Sequence, residues 1–222
     1  MRDKTREAFL QAGTPHFGLA YDSMAPPPAA VGEPNVNERE AWLKRCEGVR
    51  IPEDYQRFYY HWSSGFPDGS VRSEIVTRSR LLIGHGNASG ADVGLSVHRT
   101  WGVPVIPGSA LKGLAAQYVD VAIADEDSDR SAWRGPVWGA RRVVAPAREN
   151  FRYLFGTPPA SDGETGGARG AVEFHDALFM PDASGRPFAR DVLTVHQKPY
   201  YDEKGEQQPT DWYSPVPVGF LT

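Results

Sequence analysis

The order of apolar and polar residues divides the chain into a few regular segments joined by long irregular ones. From Ser109 to Ala124, Leu111, Leu114, Ala115, Tyr118, Val119 and Ala122 recur at i, i+3, i+4, i+7, i+8 and i+11. That spacing makes one apolar stripe along an α-helix. Pro107-Gly108-Ser109 supplies the start signal, with Ser109 as N-cap, and Asp125-Glu126-Asp127 ends the helix in water. Shorter helices are expected over Asn37–Cys46, where Asn37 and Glu40 approximate a capping box, and over Glu53–Trp62, closed by Gly65 and Pro67. Another is expected over Ala147–Phe155, stopped by Gly156 as a left-handed cap.

Strand patterns show instead as period two. In Val71–Ile83, Ile75, Thr77, Ser79, Leu81 and Ile83 fall on one face, and Glu74, Val76, Arg78, Arg80 and Leu82 on the other. Ala171–Met180 alternates likewise, with Val172, Phe174 and Leu178 on one side, and Pro215–Leu221 reads as the opening of a further strand. Residues 13–36, interrupted by Pro26, Pro27, Pro28, Gly32 and Pro34, read as an extended arm without a regular element. Gly84–Gly90 and Asp162–Gly170 read as loops. Strands and helices in this order predict an α+β fold, not an alternating βαβ series.

Composition sharpens this. The 222 residues include 23 Gly and 19 Pro, which predicts long loops threaded through a core, and 40% hydrophobic residues suffice for that core. A single cysteine, Cys46, excludes an internal disulfide and a multi-cysteine zinc site. The charged opening Met1-Arg2-Asp3-Lys4 has no apolar stretch behind it, and no apolar run reaches the roughly 18–20 residues of a membrane span. A soluble cytoplasmic protein is expected. The net charge of −4 argues at first against a nucleic-acid partner. Its distribution argues the other way: residues 72–113 carry five basic and two acidic side chains, and residues 130–152 six and one. Two basic segments on an acidic body can form a local cationic surface.

Candidate chemistry concentrates in Gly102-Val103-Pro104-Val105-Ile106-Pro107-Gly108-Ser109-Ala110-Leu111-Lys112-Gly113. A helix start offers free backbone N–H groups and a positive dipole end, to which Ser109 adds a hydroxyl and Lys112 a cation. Two readings stay open, a phosphate site or a capped helix packed tightly on a strand. Walker-type nucleotide hydrolysis is disfavoured, because Lys112 precedes Gly113 instead of following it. Gly113 costs a helix about 0.5–1 kcal/mol relative to alanine, so a sheet or a ligand is expected close to its backbone. The cluster His175, Asp176, Asp191, His196 and Asp202 shows no metal-ligand spacing and reads as ordinary polar residues. Trp101, Tyr200, Tyr201, Trp212 and Tyr213 can stack on bases, although loop aromatics more often bury a small satellite core. The pairs Arg78/Arg80 and Arg141/Arg142 are candidate phosphate contacts on charge alone.

These residues carry a likeness. Gly84-x-Gly86, Ile106-Pro107-Gly108-Ser109-x-Leu111-Lys112-Gly113, Tyr153-Leu154-Phe155-Gly156 and Gly170-x-Val172-x-Phe174-x-Asp176-Ala177 resemble the RAMP superfamily of CRISPR proteins. Asp191-Val192-Leu193-Thr194-x-His196, Pro199-Tyr200-Tyr201 and Asp211-Trp212-x-x-Pro215-x-Pro217-x-x-Phe220-Leu221 are similar to the family of sixth subunits of type III-B (Cmr) effector complexes. So is Gly18-Leu19-Ala20-Tyr21-Asp22. The likeness spans nearly the whole chain.

The resemblance implies a ferredoxin-like, RRM-related core with long loop insertions over residues 71–222, preceded by an irregular arm and short helices over 1–70. It implies a non-catalytic, cofactor-free RNA-binding subunit that meets guide RNA near its 3′ part, target RNA and other Cmr subunits, above all the backbone RAMP subunit. Gly84, Gly86, Gly108, Ser109 and Lys112 are the expected guide contacts, with Arg78, Arg80, Arg141 and Arg142 added on charge. Two departures stand out. Thr194-Val195-His196-Gln197 stands where the family often has Thr-Pro-His-Tyr, and the family continues beyond Phe220-Leu221-Thr222 into further strand, helix and a glycine-rich motif. The expectation is a C-terminally incomplete domain with an exposed sheet edge, the alternative being a core completed by another chain. The competing readings are an endoribonuclease that processes guide RNA through a histidine such as His85 or His98, and a protein-interaction module whose basic strips meet acidic partners.

Overall fold

The computed structural model describes residues 2–11, 16–26, 36–91, 93–126, 147–157, 167–181, 186–195, 208, 210 and 216–222. In chain order the elements are α1 (Arg2–Gln11), a π-helical turn (Leu19–Ser23), α2 (Val36–Glu47), α3 (Asp54–Ser64) and β1 (Val105–Ile106). They continue with α4 (Gly108–Glu126), α5 (Ala147–Phe155), β2 (Ala177–Leu178), β3 (Arg190–Val195) and β4 (Val216–Leu221). Helices with an antiparallel strand pair make the chain α+β, as its sequence predicts. It forms two compact units, Met1–Val105 with Leu178–Thr222, and Ile106–Ala177.

The first unit is organised by α2. Trp42, Leu43 and Cys46 share one face of the helix and are all buried. Acidic Glu38 in the first turn and Lys44 and Arg45 in the last suit the helix dipole. The Trp42 ring stacks on Tyr21 (centroids 5.3 Å apart), Tyr21 on Phe17 (5.5 Å) and Phe17 on Phe188 (3.6 Å). Polar tips are satisfied: Trp42 Nε1 donates to the Ala20 carbonyl at 2.8 Å, and the Tyr21 hydroxyl to the Val93 carbonyl at 2.8 Å. Each of these side chains contributes about 1.5–3 kcal/mol on burial.

β3 and β4 pair antiparallel from Arg190↔Leu221 to Val195↔Val216, and reciprocal Ala189–Thr222 bonds extend the ladder. Leu221 enters the core, and Gly219 lets the Leu43 side chain approach to 3.0 Å of where a Cβ would stand. Arg190 clamps β3 to α2, donating through Nε to Glu47 at 2.8 Å and through Nη1 to Glu40. α3 ends at Gly65, whose N–H reaches the Trp62 carbonyl. Tyr55 of α3 is fully buried, its hydroxyl on the Phe179 carbonyl at 2.5 Å.

Three sequence expectations need correction. Part of the presumed arm is helical: Phe17, Ala20 and Tyr21, at i, i+3 and i+4, are core residues. Val71–Ile83 forms no ladder among the described residues, and Val71 and Val76 stand 94% and 88% exposed. Alternation makes a segment fit for a sheet, but a strand needs a partner, and here backbone pairing begins only where Ser96 N–H meets the Ile83 carbonyl. In Ala171–Met180 the ladder shrinks to β2, because Ala171 and Val172 donate to Tyr153 and Leu154 at the end of α5. Orphan helix carbonyls take the donors that a sheet would have used.

Candidate nucleic-acid interface

Glycines set the geometry of the second unit. Where Gly108 begins α4, a Cβ would lie 2.1 Å from the Phe174 carbonyl oxygen, so only glycine lets the helix start against residues 174–175. Gly156, at φ +78°, caps α5, and a Cβ there would meet the Ala168 carbonyl at 2.4 Å. Gly170 is as close to the Leu154 carbonyl. Phe155 stacks on Phe174 with centroids 6.0 Å apart, and Phe151 packs at a tilt on Phe155 at 4.7 Å. The motifs around Gly108, Gly156 and Gly170, distant in sequence, thus pack together.

A cavity of about 200 Å³ opens here, lined by Gly108, Ser109, Lys112, Arg169, Gly170, Val172, Glu173 and Phe174. Ser109 is exposed and Lys112 half-buried, and Lys112 has no ion-pair or hydrogen-bond partner among the described residues. Arg169 pairs with Glu173 at 2.7 Å. The helix N–H groups are less free than the sequence suggests. Gly108 N–H donates to Asp176 Oδ1 at 2.8 Å, and Ala110 and Leu111 donate to the Pro107 carbonyl. Among the described residues Ser109 N–H is left without an acceptor, and with its hydroxyl and Lys112 it can meet an anion.

The helix also buries a different side from the one its stripe implies. Leu114 and Tyr118 are 66% and 71% exposed, whereas Gly108 and Ala116 are buried, because small residues let the backbone approach its neighbours. At Gly113 the expected sheet is not found: among the described residues nothing outside the helix's own backbone lies within 4 Å of its Cβ position. The close approach belongs to Gly108, five residues earlier.

The remaining candidates lie in the first unit. Gly84 adopts φ +87°, and a Cβ there would crowd Ser96 N at 2.8 Å, so it serves the loop's own fold. Gly86 faces open space. Their loop is pinned by Tyr21 on Val93, by Arg39 Nη2 on the Ala91 carbonyl at 2.7 Å and by Ser89 Oγ on Asp22 at 2.9 Å. Arg78 is exposed, whereas Arg80 is tied to Asp191 at 3.0 Å and donates to the Arg190 carbonyl. Arg141 and Arg142 lie outside the described residues, as do His196, Asp202, Tyr200, Tyr201, Trp212 and Tyr213. Trp101 packs on Tyr55 and Phe58 at 6.0 and 5.2 Å, a satellite core.

His85 is exposed, and His98 Nδ1 accepts from Thr100 N–H with its ring against Phe58. Among the described residues no group of three or more His, Cys, Asp and Glu is placed to hold a metal, and no helix is long and apolar enough to cross a membrane. Sequence reasoning missed Arg169, Glu173 and Asp176. Arg169 lies in the glycine-rich loop and Glu173 just after it, and Asp176 stands 68 residues from the N–H it accepts, so no local capping signal marks it.

Comparison with known proteins adds two findings. Residues 74–212, more than half of the chain, match the RAMP superfamily model. A curated relative, the CRISPR system Cmr subunit Cmr6 of Pyrococcus furiosus, is 27% identical over 209 residues. That alignment covers 78% of this chain and 62% of the relative, so the chain spans less than two thirds of the relative's length.

Proposed function

The chain belongs to the RAMP superfamily, and from that premise we propose that it is a non-catalytic RNA-binding subunit of a type III-B CRISPR effector complex. The similarity to Cmr6 supports this assembly. In this reading the protein acts in the cytoplasm in antiviral defence, without a cofactor. It meets guide RNA near its 3′ part, target RNA and the backbone RAMP subunit beside it. The fold is a ferredoxin-like RAMP core with loop insertions over residues 71–222, behind an N-terminal region over 1–70. Gly108 shapes the contact, and Ser109 and Lys112 hold guide phosphates. Arg78, Arg80, Gly84, Gly86, Arg141 and Arg142 are further RNA contacts in this reading.

The observation that carries the reading is the cavity at the start of α4, where Ser109, Lys112 and Arg169 gather on a frame of glycines. Phosphate contacts of this kind position a nucleic acid without reading its sequence. Purification with the partner subunits should bring down a short RNA. Lys112→Glu should weaken that loading to a similar degree for guides of different sequence. Undiminished loading of the Lys112→Glu complex refutes the site. Sequence-specific cleavage by the nuclease-free chain, lost in His85→Ala or His98→Ala, would favour the endoribonuclease instead.

A further inference from the structure

The cavity at the start of α4 holds a second cation, and that cation is already engaged. Arg169 Nη2 donates to Glu173 Oε2 at 2.7 Å, with the two side chains 82% and 61% exposed. We propose that Arg169 is a further phosphate-binding residue of this cavity and that Glu173 is the anion it gives up when RNA binds. The proposal rests on the reading above that the cavity takes an RNA phosphate.

Three features carry it. Arg169 and Lys112 line one cavity of about 200 Å³, so a single phosphodiester there meets both charges. Three of the first four N–H groups of α4 are committed to Asp176 and Pro107, so neutralising an anion falls mainly to side chains. The backbone beside Arg169 is fixed, and its side chain is held by an exposed pair that water can reach. Gly170 packs against the Leu154 carbonyl and Ala168 is bonded both ways to Thr157, whereas the guanidinium is largely in water. The exposed pair is weak and joins Arg169 Nη2 to one Glu173 oxygen, whereas a phosphate beside Lys112 can take two guanidinium bonds and share a second cation, so the exchange runs toward RNA. Glu173 then acts as a latch that keeps Arg169 beside the cavity and lowers affinity for stray anions.

The test titrates a fluorescein-labelled oligouridine ribonucleotide with the full chain over a series of KCl concentrations. The variants are Lys112→Gln, Arg169→Gln, Glu173→Gln and the Arg169→Gln/Glu173→Gln double. Arg169→Gln is expected to weaken binding and to reduce the salt slope by about 0.7, the value for one phosphate contact on a single strand. Glu173→Gln is expected to tighten binding about two- to five-fold at low salt, the range set by an exposed ion pair. In the Arg169→Gln background the same change should have no effect, because Glu173 acts through Arg169. Equal tightening in both backgrounds means general charge repulsion and overturns the proposal. So does an unchanged slope for Arg169→Gln when Lys112→Gln lowers it. If Lys112→Gln is also without effect, or the wild-type chain binds no RNA, the phosphate reading of the cavity falls and takes this inference with it.

Discussion

Two glycines five residues apart in α4 should respond to alanine in opposite directions. At Gly113 the added methyl meets nothing within 4 Å among the described residues beyond the helix's own backbone, so the substitution removes the conformational cost of glycine in a helix. It should stabilise α4 by about 0.5–1 kcal/mol. At Gly108 the methyl would stand 2.1 Å from the Phe174 carbonyl oxygen, 2.8 Å from its carbon and 3.0 Å from the His175 carbonyl carbon. All three are backbone atoms, so no side chain can swing aside, and overpacking of this kind costs about 1–3 kcal/mol or more. The separation needed for relief also stretches the 2.8 Å bond from Gly108 N–H to Asp176.

Hydrogen-exchange mass spectrometry on peptides from residues 108–126 reads the local opening directly. Gly113→Ala should slow exchange there about two- to five-fold, and Gly108→Ala should speed it by about 5- to 160-fold, the rate equivalents of those energies. Faster exchange in Gly113→Ala would show that another group packs on that position. Unchanged exchange in Gly108→Ala would refute the close approach of α4 to residues 174–175. RNA titration of Gly113→Ala adds a separate readout. A more stable variant that binds RNA less tightly would show that the ligand, not the chain, comes up against Gly113.

Other consequences follow from the first unit. Burial pushes the Cys46 thiol from 9.0 up to about 12 and the Tyr21 hydroxyl from 10.0 up to about 12. A raised value in the folded state means that stability is intact below the unfolded value and is lost as pH climbs toward the folded one. Urea midpoints should therefore hold to about pH 9 and fall beyond it, and Cys46→Ala should delay the fall to about pH 10, where tyrosine takes over. A midpoint already falling between pH 7 and 8 would contradict this. Tyr21→Phe leaves the Val93 carbonyl without its 2.8 Å donor. It should cost about 1–2 kcal/mol and speed exchange in residues 84–94, and equal exchange would show that the loop is held by other contacts. Arg80→Gln breaks the ion pair to Asp191 and should cost no more than about 1 kcal/mol, whereas exposed Arg78→Gln should leave stability unchanged. Thermal melts of the two variants check the ranking.

What could be read from the sequence was local. α5 stops at Gly156, whose φ of +78° makes the left-handed cap expected there, and α3 ends at Gly65 just ahead of Pro67. α4 begins at Gly108, so Ser109 lies inside its first turn and not at the N-cap that the start signal predicts. What could not be read depended on partners. Period two in Val71–Ile83 describes side chains correctly and says nothing about which backbone will pair with it, so among the described residues the segment stands without a ladder. The helical spacing of Phe17, Ala20 and Tyr21 was masked by the prolines that follow, although those residues carry the centre of the core. The candidate site divides in the same way. Gly108, Ser109 and Lys112 are legible because a helix start and its first turn lie within a few residues. Arg169 and Glu173 reach the same cavity through the fit of Gly156 and Gly170 against opposing carbonyls, a long-range contact that spacing does not encode. The same contact explains why the charge of the site differs from a count of its motif: one helix N–H is answered by Asp176 and one cation by Glu173. On the proposed reading, affinity for an anion at α4 is therefore set by carboxylates outside the motif as well as by the lysine within it.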